Sequence, residues 1–528
     1  MNRLLFATLC CAVATPLMAQ TTYTNAELSS TSDVIGTARY VGMGGALGAL
    51  GADISAISSN PAAIGLYRRA DVALTAGGLW QKNKQYEADK TGRGTFDQFG
   101  IVGAWKVDAP KVRYFNVGFN YQKKFNFFNA YYADNDAPGG LSQADMMADL
   151  ANKFYNEETF PNTLYGAMYD AWVYDNDDKG FYNGVSADKN RFSSYTTGSV
   201  QAFDINFSTN VLDRYFLGLT IGIDNVEYNR YTEYTEERTL NHLIEAIQDY
   251  TLASEHHISG YGVNVKLGTI IRPFEDNPFR MGLTVETPTW YKLKSTVLYD
   301  IYSKYDSEGN YNQNGYCKHR SADDNYLEYN LRTPWRARVS MGSTIDRFFA
   351  WGLEYEYANY GKNHMSYPGY DTWDGFSASS SPDREMNKMN KRTFEGQHTV
   401  KGGVELNVTD GVAVRFGYNY ITTPYKKNAR LQQDIDSYAM DYVAGTAYSN
   451  LSDVNIITCG LGYRYKKFYV DLAYRFRQQS ADVYAFDDSF TSSDDFVRDN
   501  PELAYKTLRP VDVNLNRHNI TCTLGFKF

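Results

Sequence analysis

The sequence predicts an all-β fold: a transmembrane antiparallel β-barrel of about 14 strands whose lumen is plugged by an N-terminal hatch. Apolar residues alternate with polar or charged ones in segment after segment, and short and long connections join these segments in turn. The composition agrees. Aromatics make up 15% of the chain, with 45 Tyr, although 21% of residues are charged and the net charge is −9. Strands that meet lipid only on alternate residues, with aromatics at both membrane interfaces, give that combination.

The first element is an expected signal peptide over 1–19. Asn2 and Arg3 give a charged start, Leu4 to Leu17 is largely apolar, and Ala19 supplies a small residue for cleavage. The apolar run is too short to span a bilayer as a helix. Cys10 and Cys11 fall within it, and the remaining Cys317, Cys459 and Cys522 make no disulfide framework.

Residues 20–70 do not alternate as strands do. Gly42, Gly44 and Gly45 stand in a run of small residues, and Asn60-Pro61-Ala62 follows. Small residues permit close backbone packing. Proline sets a turn, and asparagine can bond the local backbone. A phosphate-cradling loop would need a βαβ setting, which is missing. The segment therefore reads as a hatch folded into the lumen.

The barrel follows over 71–528. Predicted strands cover 71–80, 97–106, 113–123, 198–209, 214–227, 258–271, 278–296, 327–342, 348–358, 397–407, 412–422, 453–465, 467–477 and 516–528. The last is the clearest, with Ile520, Cys522, Leu524, Phe526 and Phe528 on one face. Short turns on the periplasmic side and long loops outside are the outer-membrane layout, and an even strand number puts both termini in the periplasm. The other face carries Arg336, Arg338, Glu354, Glu356, Lys401, Glu405, Arg415, Asp471 and Arg475, which must turn inward because charge facing lipid is costly. Arg336 and Arg338 follow Thr333-Pro334-Trp335, and Pro334, lacking a ladder donor, marks a kink. Glu354 and Glu356 on the next strand would neutralise them; the alternative is an anchor for a carboxylate ligand.

Two long loops show helical spacing. Over 239–252, Leu240, Leu243, Ile244 and Ile247 share one face behind Thr239; over 142–154, Ser142 caps a face of Met146, Met147, Leu150 and Phe154. Such faces pack onto the barrel rim or border an apolar entry groove. His256-His257 and the Cys317/His319 pair hint at metal or haem capture, but adjacent strand side chains diverge. No cofactor or metal site is expected. No serine elbow or zinc motif marks an enzyme, and the negative charge excludes a nucleic-acid partner.

Ala38-Arg39, Gly42-Met43-Gly44-Gly45-Ala46, Asp53 and above all Asn60-Pro61-Ala62 resemble the hatch of the FadL/TodX family of outer-membrane transporters for long-chain fatty acids and aromatic hydrocarbons. The resemblance implies fourteen strands, a terminal Phe as at Phe528, and helical outer loops that capture ligand. On that basis Leu240, Leu243, Ile244 and Ile247 become candidate capture residues, and Gly42, Gly44, Gly45, Asn60, Pro61 and Ala62 candidate gate residues. The implied partners are a hydrophobic small molecule and outer-membrane lipid, with the chain a monomer. The 124–197 loop is longer than the family pattern leads one to expect. Two other readings stay open: a plugged barrel serving a secretion or surface-assembly machine, and a haem-compound receptor.

Overall fold

A computed structural model describes residues 20–528 apart from 31–32, 82–91, 137–139, 241–248, 306–307, 311, 313–314, 322–325, 347, 370–379, 428, 432–436, 438–441 and 493–506. The signal peptide expected over 1–19 lies outside the described residues. Fourteen strands form one closed antiparallel barrel. They are β1 (Asp71–Gln81), β2 (Gly92–Lys106), β3 (Val112–Asn126), β4 (Val185–Val211), β5 (Tyr215–Leu240), β6 (Tyr250–Ile271), β7 in two pieces (Arg280–Glu286, Trp290–Ser303) and β8 in two pieces (Tyr326–Arg332, Arg336–Ile345). Then come β9 (Phe349–Asn359), β10 (Gly396–Asn407), β11 (Val412–Ile421), β12 (Val454–Tyr465), β13 (Phe468–Gln478) and β14 (Arg517–Lys527). Each pairs with its chain neighbour, and β14 pairs with β1 from Lys527↔Asp71 to Arg517↔Gln81, which closes the ring.

Burial follows the alternation. Leu74, Ile101, Leu267, Phe416, Leu461 and Leu524 are exposed, while Asn120, Asp204, Thr220, Lys266 and Asp471 on the opposite phase are buried. An apolar outer belt around a polar interior is stable only in a bilayer, which makes the barrel transmembrane.

A spanning strand needs about 9–11 residues, yet β4, β5 and β6 run for 27, 26 and 22. Their far ends stand clear of the membrane, and the outward face of β5 turns polar from Asn225 through Glu227, Asn229 and Glu233. These extensions wall a cap built from the long loops. Its core includes Phe127, Met146, Met147, Tyr165, Tyr228, Met386 and Phe486. Three helices contribute: α3 (Gln143–Phe154), α4 (Leu164–Asp170) and α5 (Arg384–Thr393). α3 starts at Ser142, the cap the sequence predicts, which forms a reciprocal capping box with Asp145.

The helix expected over 239–252 is corrected at both ends. β5 runs to Leu240 and β6 begins at Tyr250. Leu243, Ile244 and Ile247 lie outside the described residues. The apolar i, i+3, i+4 spacing competed there with two strands whose pairing extends to Val185↔Leu240 on one side and Glu236↔Tyr250 on the other.

Two further helices precede the barrel: α1 (Gln20–Ser30) and α2 (Ala38–Gly42). From Gln20 in the cap the described chain descends through the lumen and joins β1 at the short-turn end. There Phe528 N–H donates to the Ala70 carbonyl at 3.0 Å. The sequence expects both termini on the short-turn side, but α1 sits at the opposite end. Cap side chains hold it: Tyr329 donates to Asn25 (2.9 Å), Tyr228 to Glu27 (3.2 Å) and Asn363 to Ser29 (2.8 Å).

Candidate functional site

The hatch is folded by its own small polar residues. Thr37 caps α2, accepting from Tyr40 N–H at 3.1 Å, and its hydroxyl donates to Asp53 at 2.8 Å. Asp53 in turn accepts from Ser55 N–H at 3.0 Å and starts the helical turn Ile54–Ser58. Asn60 does the same for Pro61–Leu66, accepting from Ala62 N–H at 3.0 Å, and reaches out to the Thr269 carbonyl at 3.1 Å. Asn206 of β4 donates to the Pro61 carbonyl at 3.1 Å. Asn60, Pro61 and Ala62 are thus pinned to the barrel wall.

Glycines make the wall fit. Gly342, Gly352, Gly403 and Gly417 face one another in register across β8 to β11 and form a strip without side chains. The turn Gly42–Ala46 lies flat on it. A Cβ on Gly403 would collide with the Met43 carbonyl, one on Gly417 with the Gly44 nitrogen, and one on Gly352 with the Ala46 carbonyl. Gly44 and Gly45 adopt φ of 61° and 75°, which the tight turn requires. On the other side Gly218 and Gly268 oppose each other and seat Pro61 and Asn60.

Buried ion pairs surround this wedge. Near the short-turn end Glu405 accepts from Arg39 (2.9 Å) and Arg415 (2.6 Å), and Arg415 also reaches Asp471 (2.6 Å). Arg475 holds Asp33 at 2.6 Å. A second band lies above the hatch. Lys124 pairs with Asp224 (2.7 Å), Lys266 with Asp204 (3.1 Å) and Lys401 with Glu354 (2.8 Å). Arg338 is shared by Glu286 (2.8 Å) and Glu356. Arg336 donates to the Ser29 carbonyl at 2.8 Å and lies 4.0 Å from Glu356. The band holds five cations (Lys124, Lys266, Arg336, Arg338, Lys401) against five carboxylates (Asp204, Asp224, Glu286, Glu354, Glu356), so pairing offsets the cost of burying them. Its net charge is zero, which gives an anion no electrostatic advantage.

Between band and hatch lies a cavity of about 80 Å³, lined by Ser29, Ile35, Tyr40, Ser59, Thr289, Tyr291, Thr333 and charged groups that include Lys266, Glu286, Arg336, Arg338 and Lys401. It has room for a few waters but not for a solute that needs roughly 300 Å³ or more. On the other side of the hatch a cavity of about 310 Å³ opens among Arg39, Asp53, Asp71, Glu405 and Asp410. The hatch separates the two.

The ladder is interrupted beside the upper cavity. β7 breaks at Thr287-Pro288-Thr289 and β8 at Thr333-Pro334-Trp335. The registers on either side, Glu286↔Arg336 and Trp290↔Arg332, place Pro288 opposite Pro334. Neither can donate to the ladder. Threonines bridge the gap: Thr289 N–H donates to Thr333 Oγ1 at 2.9 Å, and Thr333 N–H to the Thr289 carbonyl at 3.1 Å. Trp290 and Trp335 flank it on the lipid side, 51% and 60% exposed.

The structure gathers Gly42, Gly44, Gly45, Asn60, Pro61 and Ala62 in one wedge, and Arg336, Arg338, Glu354 and Glu356 in one band. It does not bring the histidines together. His256 faces inward onto Ser295 at 2.8 Å, while His257 contacts Asn229 at 2.6 Å on the outward face. The sequence reading missed Pro288 and the wall glycines. A repeated Thr-Pro in neighbouring strands was the available signal for the first; only the register reveals the second.

The sequence matches no family model and no curated protein. Solved structures do match. A Pseudomonas aeruginosa FadL homologue superposes with a TM-score of 0.51 at 13% identity, over 94% of this chain and 99% of that one. The Ralstonia pickettii toluene transporter TbuX gives 0.47 at 10%, and the Pseudomonas putida toluene transporter TodX 0.45 at 11%, each over 94% of this chain and 99% of the other. The chain shares the fold of the FadL homologue.

Proposed function

We propose that this barrel carries small hydrophobic compounds, of the fatty-acid or hydrocarbon type, across the bacterial outer membrane. The observation that supports it best is the Pro288/Pro334 break, set between the upper cavity and lipid. A straight path is blocked by the hatch, so the solute leaves sideways where the ladder is interrupted. Capture belongs to the outer loops, with Leu240, Leu243, Ile244 and Ile247 as the proposed apolar lip. The cavity must widen in use. Leu28 and Ser29 of α1 line it, so withdrawal of α1 is the movement that would enlarge it.

Replacing Pro288→Val together with Pro334→Val restores two ladder donors. Binding of a long-chain fatty acid to purified protein should persist while its uptake into barrel-containing vesicles falls. Unchanged uptake would sink the sideways route. Failure of every acyl and aromatic compound to bind would sink the transport reading. The densely packed cap favours a second reading in that event: a plugged barrel within a secretion or surface-assembly machine, recognisable by stable protein partners and absent solute binding.

A further inference from the structure

The outward face of the barrel is not uniformly charged above the membrane. On β5 and β6 it is acidic, with Glu227, Glu233 and Glu255 turned outward. On β7 and β8 it is the reverse. Lys292 and Lys294 are exposed one and two steps above Trp290, and Arg332 is exposed beside them, because Trp290↔Arg332 and Lys292↔Asn330 are register pairs. Lys294 stacks its ammonium 3.9 Å from the centre of the Tyr326 ring.

The basic surface continues onto the next layer. The short strand His364–Tyr367 pairs with β8, and His364 stands opposite Arg332. α5 packs over that strand: Asn387 bonds both Met365 N–H (2.8 Å) and the Met365 carbonyl (2.9 Å). The helix buries Met386 and Met389 and exposes Lys391. Burial lowers the His364 pKa, and the charges of Arg332 and Lys391 lower it further. A chain of net charge −9 thus gathers cations on one sector of its rim. Glu328, opposite Lys294, is a carboxylate within the sector.

Height decides what this surface meets. Val285 is exposed to lipid just below, and Trp290 and Trp335 sit at the boundary, where aromatic girdles mark the interface. The cations therefore lie at headgroup level on the long-loop side. We propose that Lys292, Lys294, Arg332 and Lys391 bind the phosphate groups of an outer-leaflet glycolipid. Lysine and arginine at headgroup height recognise lipid phosphate by charge. The inference does not depend on what passes through the lumen.

The test uses the full-length protein in nanodiscs containing bisphosphorylated lipid A or its dephosphorylated form, with bound lipid counted by native mass spectrometry. The variant carries Lys292→Gln, Lys294→Gln, Arg332→Gln and Lys391→Gln. All four positions are exposed, and heat-modifiable gel migration checks that the barrel stays folded. Bisphosphorylated lipid A should bind the native protein and bind the variant at least about tenfold more weakly. Inorganic phosphate at millimolar concentration should not displace it. Equal binding by native and variant proteins, or equal binding of the dephosphorylated lipid, would overturn the proposal. Displacement by inorganic phosphate would overturn the lipid assignment. If the variant does not fold, Lys292→Gln with Lys294→Gln alone must still weaken binding, and unchanged binding there would also overturn it.

Discussion

Gly403→Ala tests the wedge directly. The added Cβ collides with the Met43 carbonyl, and its carbon and Cα are also within contact, so backbone meets backbone and no side chain can swing aside. Met43 cannot retreat, being fully buried in a cluster with Leu47 and Leu50. Overpacking of this kind costs about 1–3 kcal/mol, whereas replacing glycine by alanine in a strand otherwise gains roughly 0.5–1 kcal/mol. The barrel itself should therefore hold while hatch seating loses up to about 2 kcal/mol, a factor near 30 in the unseated population. Gly402→Ala is the matched control, because its Cβ would meet only Leu353 Cδ1 at 3.9 Å on the lipid side. Planar-bilayer conductance and proteolysis within 36–65 should both rise for Gly403→Ala and stay at the native level for Gly402→Ala. Identical behaviour of the two variants, with both barrels folded, would refute the wedge.

Asn60→Ala removes a helix cap and a wall contact, so amide exchange across 62–66 should quicken by the equivalent of about 1 kcal/mol while β6 is unaffected. Arg415→Met leaves Asp471 and half of Glu405 without their cation, and a loss of about 3–5 kcal/mol should show in denaturant unfolding. Cys459 and Cys522 lie outward on β12 and β14 with β13 between them (Cys459↔Tyr474↔Ile520). Two strand spacings of about 4.8 Å exceed disulfide reach, so Cys459→Ala and Cys522→Ala should change stability little and mass mapping should show no bridge. In a fatty-acid series, affinity should rise with chain length at about 0.8 kcal/mol per CH₂, and Leu243→Ser with Ile247→Ser should weaken binding more than Arg336→Gln; flat affinity would contradict this.

The fourteen strands were legible because lipid enforces alternation: a residue such as Leu461 must be apolar when its neighbours Gly460 and Gly462 look inward. Above the membrane that pressure ends. The upper halves of β4 and β5 have water on one side and a partly polar cap on the other, so their strands looked shorter than they are. The inward charges were legible for the same reason as the outward apolar residues, but their partners were not all evident. Glu354 was expected to serve the arginines, yet it pairs with Lys401 from β10, and Arg338 instead takes Glu286 from β7. Pairing across the ladder depends on register, which no single segment discloses. Gly342, Gly352, Gly403 and Gly417 are scattered along the sequence and become a surface only when four strands align. The hatch was legible from its local chemistry, since caps such as Asn60 and Asp53 act on residues two positions away.

The hatch also touches both sides of the seam where the ring closes. Gln122 of β3 bonds the Ile35 carbonyl, and Asn116 bonds those of Ile64 and Tyr67. From the other side Ala38 N–H donates to Thr523 of β14 at 2.7 Å, across 485 residues of sequence, and Arg475 of β13 holds the Val34 carbonyl. Bringing chain ends together over such a separation is entropically costly and slows folding. A segment made first, already anchored to the early strands, offers the last strands a docking template, so ring closure becomes a local search. Ring closure and hatch seating then share one set of contacts. A chain lacking 25–58 should form the heat-modifiable barrel more slowly than the full chain in refolding time courses, and equal rates would show that the seam finds itself unaided.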